Sequence, residues 1–194
     1  EMLRPSFLVN VVLNEKKEFL SVYAGDYIEA HLEACKFVES VYGTPIQDRA
    51  DLVIATCGGY PKDINVYQLQ KTMDNASLAV RQGGVVIILG ECVEGVGDDL
   101  YLEWMTKYKT PEKIEAEVRA NFVVGGHKAY AVTRLMKKAQ FILLSGLEPG
   151  LARTLLFTPA KDMNEALDLA FSKVGPKPRV LLMPQGSLTV PLLK

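Results

Sequence analysis

The chain has 194 residues, of which 48% are hydrophobic and 23% charged, with a formal net charge of −1. That length suits one large domain or two small ones and can bury a sizeable core. The near-neutral balance argues against broad electrostatic binding to nucleic acid, and no apolar run approaches the roughly 20 residues that cross a bilayer.

In chain order, Phe7 to Leu13 reads as a strand, Asn14 to Lys17 as a polar turn, and Phe19 to Tyr23 as the returning strand of a hairpin. Asp26 is placed to cap a helix over Tyr27 to Val41, in which His31 is a surface histidine. Leu52 to Ala55 is a short apolar run, followed by a glycine turn at Gly58-Gly59 and then Tyr60-Pro61. A helix is expected from about Asp63 to Arg81, stopping at Gly83-Gly84. Val85 to Leu89 is a second apolar run of the kind buried on both faces of a parallel sheet. The loop from Gly90 to Asp99 follows, and its three glycines and four carboxylates at a strand end make it a second candidate ligand loop. Helices are expected over Leu100 to Tyr108, from Pro111 to about Ala120 with proline at the first position, and from His127 onward. Phe141 to Leu144 is a strand, Leu155 to Phe157 a short apolar piece, Asp162 to Lys173 an amphipathic helix, and Arg179 to Met183 the final strand. This alternation predicts an α/β fold of three αβα layers, with a mostly parallel, Rossmann-like sheet and an N-terminal hairpin, read as a single domain over residues 1–194.

In such sheets ligands bind beyond the carboxyl ends of strands, which points to the turn at Gly58-Gly59. On the helix that follows it, Ile64, Tyr67, Gln68, Lys71 and Asn75 share one face, while Val66, Leu69, Met73, Ala76 and Val80 form a packing stripe. Gln68 and Lys71 are either ordinary solvated residues or a donor pair for an anion. The turn is not GxGxxG, and Glu91 lies further on than the ~20 residues at which a dinucleotide site places its ribose-binding acid. Cys57 lacks the flanking glycines of a nucleophile elbow and reads as a buried structural cysteine. Cys35, Cys57 and Cys92 are far apart with no CxxC, which fits a reduced, cytoplasmic protein. His127, after two glycines at a helix start, is either a surface residue or a ring that caps a ligand, and the N-terminal dipole disfavours its imidazolium form. With only His31 and His127, an all-protein zinc site would need carboxylates or the widely separated cysteines to help, and no metal ligands are assigned.

The segments GGYPKDINVYQLQK, GECVEGVG and GGHKAYA resemble the carboxyl-terminal half of the lactate racemase family, the nickel-pincer-nucleotide racemases and epimerases of 2-hydroxy acids. The opening FLVNVVLNEKKEFLSVYAGD and the closing GSLTVPLL extend the resemblance over nearly the whole chain. It implies that Gln68 and Lys71 bind substrate, with Lys71 on the carboxylate, and that His127, Gly58, Gly59, Tyr60 and Pro61 face the cofactor. It also implies a two-domain enzyme acting by hydride transfer, in which the acid–base histidines, the nickel ligand and the lysine that holds the nickel-pincer nucleotide all belong to an amino-terminal domain. No catalytic residue is therefore expected here. The partners are a small 2-hydroxy acid and that amino-terminal domain, with no nucleic acid and no membrane. The chain, which opens on Glu1 rather than Met, is expected to be inactive alone and to keep no cofactor, and any interdomain hinge is expected at or before Glu1. The alternative is a non-catalytic nucleotide- or ligand-binding α/β domain.

Overall fold

Two antiparallel strands, β1 (Leu8–Leu13) and β2 (Phe19–Gly25), open the fold, with Val9 opposite Ala24, Val11 opposite Val22 and a register shift between Val12 and Leu13. The computed structural model describes residues 5–14 and 16–194. Glu15 of the expected turn and a hinge at or before Glu1 therefore lie outside the described residues. The Asn14 side-chain oxygen accepts the N–H groups of Lys16 and Glu18, each at 2.9 Å, and so holds the turn. Helix α1 (Tyr27–Tyr42) follows, and the Asp26 carboxylate caps it by accepting from the Ile28 and Glu29 amides. His31 is exposed on α1, with Nε2 3.5 Å from the Cys35 sulfur. The chain divides into two compact units, one ending at Thr44 and the other spanning Pro45 to Lys194; strand β3 (Gly43–Ile46) crosses the boundary.

The second unit is built on strands β4 (Ala50–Thr56), β5 (Val80–Leu89), β6 (Gln140–Leu144), β7 (Thr158–Pro159) and β8 (Val180–Met183), all parallel, in the order β7-β6-β5-β4-β8. Side chains alternate across the sheet. Val53, Ala55, Val86, Ile88, Phe141 and Leu143 face one core, while Leu52, Val85, Ile87 and Ile142 face the other. The first core is covered by α2 (Val66–Ala79), α3 (Asp99–Tyr108), α4 (Pro111–Ala120), α5 (Gly126–Met136) and α6 (Pro149–Thr154), and the second by α7 (Met163–Val174) through Ala166 and Ala170. This is the expected three-layer α/β fold. The chain steps outward from β4 to β7, then returns beneath the sheet through α7 to place β8 on the other side of β4.

Several elements differ from the sequence expectation. The helix expected over Asp63 to Arg81 is shorter at both ends. Its start is held back because the Asp63 and Ile64 carbonyls accept the Cys92 and Glu94 amides, so Asn65 becomes the cap. At its end Val80 is already extended, and Val80 and Arg81 belong to β5, where Arg81 meets Asp51 of β4. Gly83-Gly84 accordingly lies within the strand. A Cβ on Gly84 would sit 2.7 Å from the Asp51 carbonyl oxygen, so only glycine permits that approach. Helix α6 starts at Pro149 under a Glu148 cap, in a stretch where no element was expected. Strand β8 is not the last, since β9 (Val190–Leu193) follows, and the Lys194 amide donates to the Ile46 carbonyl at 3.1 Å.

Candidate functional site

The turn leaving β4 is built around consecutive left-handed residues, Gly58 at φ 85° and Gly59 at φ 74°, which L side chains rarely adopt. The Tyr60–Pro61 peptide that follows is cis, and Tyr60 is 75% exposed. The loop after β8 is tied to this turn. Gly186 N–H donates to the Thr56 carbonyl at 2.8 Å, Thr56 Oγ1 donates to the Pro184 carbonyl at 2.6 Å, and Ser187 Oγ donates to the Cys57 carbonyl at 2.7 Å. From α2, the Asn75 amide donates to the Gly186 carbonyl at 2.7 Å.

A cleft of about 430 Å³ lies over the carboxyl ends of β4, β5 and β6, with Gly59, Asp63, Gly90, Glu91 and Ser145 among its lining residues. Two carboxylates make it acidic. The positive end of α2 does not offset them with free donors. Val66 and Tyr67 N–H groups donate to the Gly95 and Val96 carbonyls, Gln68 N–H to the Asn65 side chain, and Leu69 N–H to the Asn65 carbonyl. A dinucleotide site needs those amides free for the pyrophosphate, so the glycine- and acid-rich loop has taken the place a phosphate would occupy. A Cβ on Gly97 would meet the Asn65 side chain at 2.4 Å, so this loop closes onto the cap only because position 97 carries no side chain.

The donors lie along α2 instead. Lys71 Nζ donates to Gln68 Oε1 at 2.7 Å, and both residues are on the outer face, as their spacing predicts. Lys128, from the first turn of α5, places its Nζ 4.1 Å above the Tyr67 ring. Burial holds the Lys128 ammonium below its ordinary value; Asp74 opposes this shift and Lys71 adds to it. Burial likewise raises the Asp74 carboxyl, with Lys128 and Arg134 opposing. Lys128 also stands at the positive end of a helix, where a cation is disfavoured. Among the described residues it makes no ion pair. Sequence reasoning missed Lys128. The available signal was a lysine in the first turn of a helix, against the usual preference for acids there.

His127 is half-buried at the start of α5. Its Nδ1 accepts the Gly125 N–H at 3.0 Å, which leaves the ring proton at Nε2, and its ring centroid is 6.0 Å from that of Phe122. No hydrogen bond joins His127 to Gly58, Gly59, Tyr60 or Pro61 among the described residues. The start of α5 is set by Trp104, because a Cβ on Gly126 would lie 2.5 Å from the indole. Cys57 is buried and its thiol is raised by burial, while burial pushes the Cys92 thiol up to about 12. Neither is poised as a nucleophile. Among the described residues no group of three or more His, Cys, Asp or Glu side chains could hold a metal ion, and no helix is long and apolar enough to cross a membrane.

A family model described as the lactate racemase C-terminal domain matches residues 46–190. A lactate racemase from Thermoanaerobacterium thermosaccharolyticum is 32% identical over 186 residues, covering 93% of this chain and 43% of that protein. One from Lactiplantibacillus plantarum is 29% identical over 186 residues, covering 93% and 44%. The solved lactate racemase apoprotein of T. thermosaccharolyticum superposes with a TM-score of 0.86 at 29% identity, over 96% of this chain and 46% of that one. A Thermotoga maritima protein shares the fold at a TM-score of 0.62 and 14% identity, over 97% of this chain and 49% of that one. The chain thus spans less than half the length of the curated relatives it matches.

Proposed function

The chain belongs to the lactate racemase C-terminal domain family, and we propose that it is the substrate-gripping half of a racemase or epimerase of lactate or another 2-hydroxy acid. The observation that carries this reading is the Lys71–Gln68 pair. With Gln68 Oε1 engaged by Lys71, the groups left over are donors, namely the remaining ammonium protons and the Gln68 NH2. A set of donors with its acceptor consumed suits a carboxylate. Lys128, short of a carboxylate partner and half-buried, adds positive potential to the same face of α2.

Racemisation of a 2-hydroxy acid needs the carboxylate held still while the second carbon flattens and is rebuilt from either side. Lys71 would supply a fixed cation through that change, and its rotatable donors can follow the carboxylate as it turns. Gln68 would fix the second oxygen.

A nickel-pincer nucleotide, when bound, would supply the hydride acceptor. The residues of this chain fit a covering role toward such a group and not an anchoring one. His127 Nδ1 is committed to Gly125, so the ring can present a face or its Nε2 proton. Gly58, Gly59, Tyr60 and Pro61 offer a surface without metal ligands. Anchoring and acid–base chemistry belong in this reading to an amino-terminal domain, leaving this chain inactive alone and the whole enzyme cytoplasmic.

The test uses the full-length protein. Its intact mass and nickel content are measured, and conversion of L-lactate and a panel of other L-2-hydroxy acids to their D forms is followed by chiral chromatography. A nickel-bearing chain about twice this length that racemises one member of the panel is the expected result. A full-length protein that binds a hydroxy acid or a nucleotide but converts none of the panel would overturn the reading and leave a non-catalytic binding domain.

A further inference from the structure

We propose that the cavity between the end of α3 and the end of α6 is a binding site for a phosphate monoester, separate from the cleft over β4, β5 and β6. It lies toward the opposite end of the sheet. Helix α3 starts in the loop that leaves β5 and ends at this cavity, and Leu156 comes just before β7.

The cavity measures about 290 Å³. Met105, Thr106 and Lys109 line it from α3 and its cap, and Arg153, Thr154 and Leu156 from the end of α6. Its apolar part is anchored in the protein, since Met105 is 1% exposed and Leu156 packs against the same core. Its exposed part carries two cations. Neither Lys109 nor Arg153 makes an ion pair among the described residues. Glu148, at the other end of α6 from Arg153, is committed to the cap, where it accepts the Leu151 N–H at 2.9 Å.

Cations at helix C-termini often do no more than offset the dipole, and ordinary backbone suffices for that. The backbone here is not ordinary. Lys109 closes α3 at φ 59°, with its N–H donating to the Met105 carbonyl at 3.3 Å. Leu156 closes α6 at φ 66°, with its N–H donating to the Arg153 carbonyl at 2.9 Å and the Phe157 N–H donating to the Ala152 carbonyl at 3.0 Å. Glycine normally makes such a turn, because an L side chain is strained in the left-handed region. Two of the four non-glycine residues with positive φ among those described thus line one cavity. Glycine at either position would relax the backbone but remove a charge or an apolar wall. Residues held in this way cluster at ligand sites. The same bonds occupy the Ala152 and Arg153 carbonyls, which would otherwise repel an incoming anion.

Charge and shape select the ligand. One cation matches a carboxylate, whereas two unpaired cations match a dianion. The Arg153 guanidinium can grip two phosphate oxygens at once, Lys109 adds a point charge, and the Thr106 hydroxyl is a further donor. Met105 and Leu156 suit the carbon group of an ester, which inorganic phosphate lacks.

The experiment is isothermal titration calorimetry of the full-length protein at low ionic strength, with phenyl phosphate and with inorganic phosphate. One equivalent of phenyl phosphate should bind per chain, several-fold more tightly than inorganic phosphate. Arg153→Gln and Lys109→Gln should each weaken binding at least ten-fold. Leu156→Asn, which tolerates the left-handed backbone, should erase the preference for the ester. Lys71→Ala should leave binding unchanged. No saturable binding, or wild-type affinity in both charge variants, would overturn the proposal. So would loss of binding in Lys71→Ala alone, since the anion would then sit on α2.

Discussion

The Lys71 ammonium donates to the Gln68 side-chain oxygen at 2.7 Å, across one turn of α2. The contact sets the chemistry of the face, because it uses the one acceptor in the pair. Changing Gln68 to Glu would convert the pair into an ion pair and cancel the charge offered to a carboxylate. Gln68→Glu and Lys71→Ala should each lower kcat/KM of the full-length enzyme at least ten-fold, in line with the ~1.5–3 kcal/mol of a charged hydrogen bond, with the melting temperature unchanged. Wild-type kinetics in Lys71→Ala would sink the assignment.

Lys128 should matter through charge and not through packing. Lys128→Met keeps the stem over Tyr67 and removes the ammonium 4.1 Å from its ring. That variant should raise KM for the hydroxy acid several-fold, while melting at or above the wild-type temperature, because a buried cation at a positive helix end has been removed. A KM unchanged from wild type would remove Lys128 from the site.

Thiol labelling separates the three cysteines. Cys35 is exposed, whereas Cys57 and Cys92 are buried with thiols raised by burial. One thiol per chain should react with a disulfide reagent in the native state and three after unfolding. Rapid native labelling of Cys57 would mean that the turn after β4 opens.

Gly126→Ala should cost about 2 kcal/mol or more, because its methyl group would press on the Trp104 indole at 2.5 Å. The displaced helix start carries His127 and Lys128, so KM should rise together with the loss of stability seen in urea melts. A stable variant with normal kinetics would show that α5 can slide without disturbing the site.

Asp51 joins β4 to the start of β8. It accepts from the Arg81 guanidinium at 2.5 Å and from the Arg179 amide at 2.8 Å, and these bonds hold its carboxyl below the ordinary 3.8. A lowered carboxylate stabilises the fold fully above its unfolded value and loses that contribution as pH falls through the folded one. The gap in melting temperature between wild type and Asp51→Asn should therefore be constant from neutral pH down to about 5 and close below pH 3.8. A gap that persists in stronger acid would assign it to shape instead of charge.

Strand alternation, the hairpin, the Asp26 cap, proline at the start of α4 and the shared face of Gln68 and Lys71 were all legible in the sequence, because each depends on residues a few positions apart. Local spacing could not place the ends of α2. Its first amides are taken by carbonyls at Gly95 and Val96, and its last turn is lost to β5, whose Arg81 pairs with Asp51 of β4. Lys128 was invisible for the same reason, since it reaches Tyr67 only when α5 packs beside α2. Sequence by itself determined the α/β class, the family resemblance and the shared face of Gln68 and Lys71 on α2. Tertiary structure alone decided that the α2 amides are closed to phosphate, that Lys128 stands over Tyr67, and that Lys109 and Arg153 share one cavity, because each of these depends on groups brought together from distant parts of the chain.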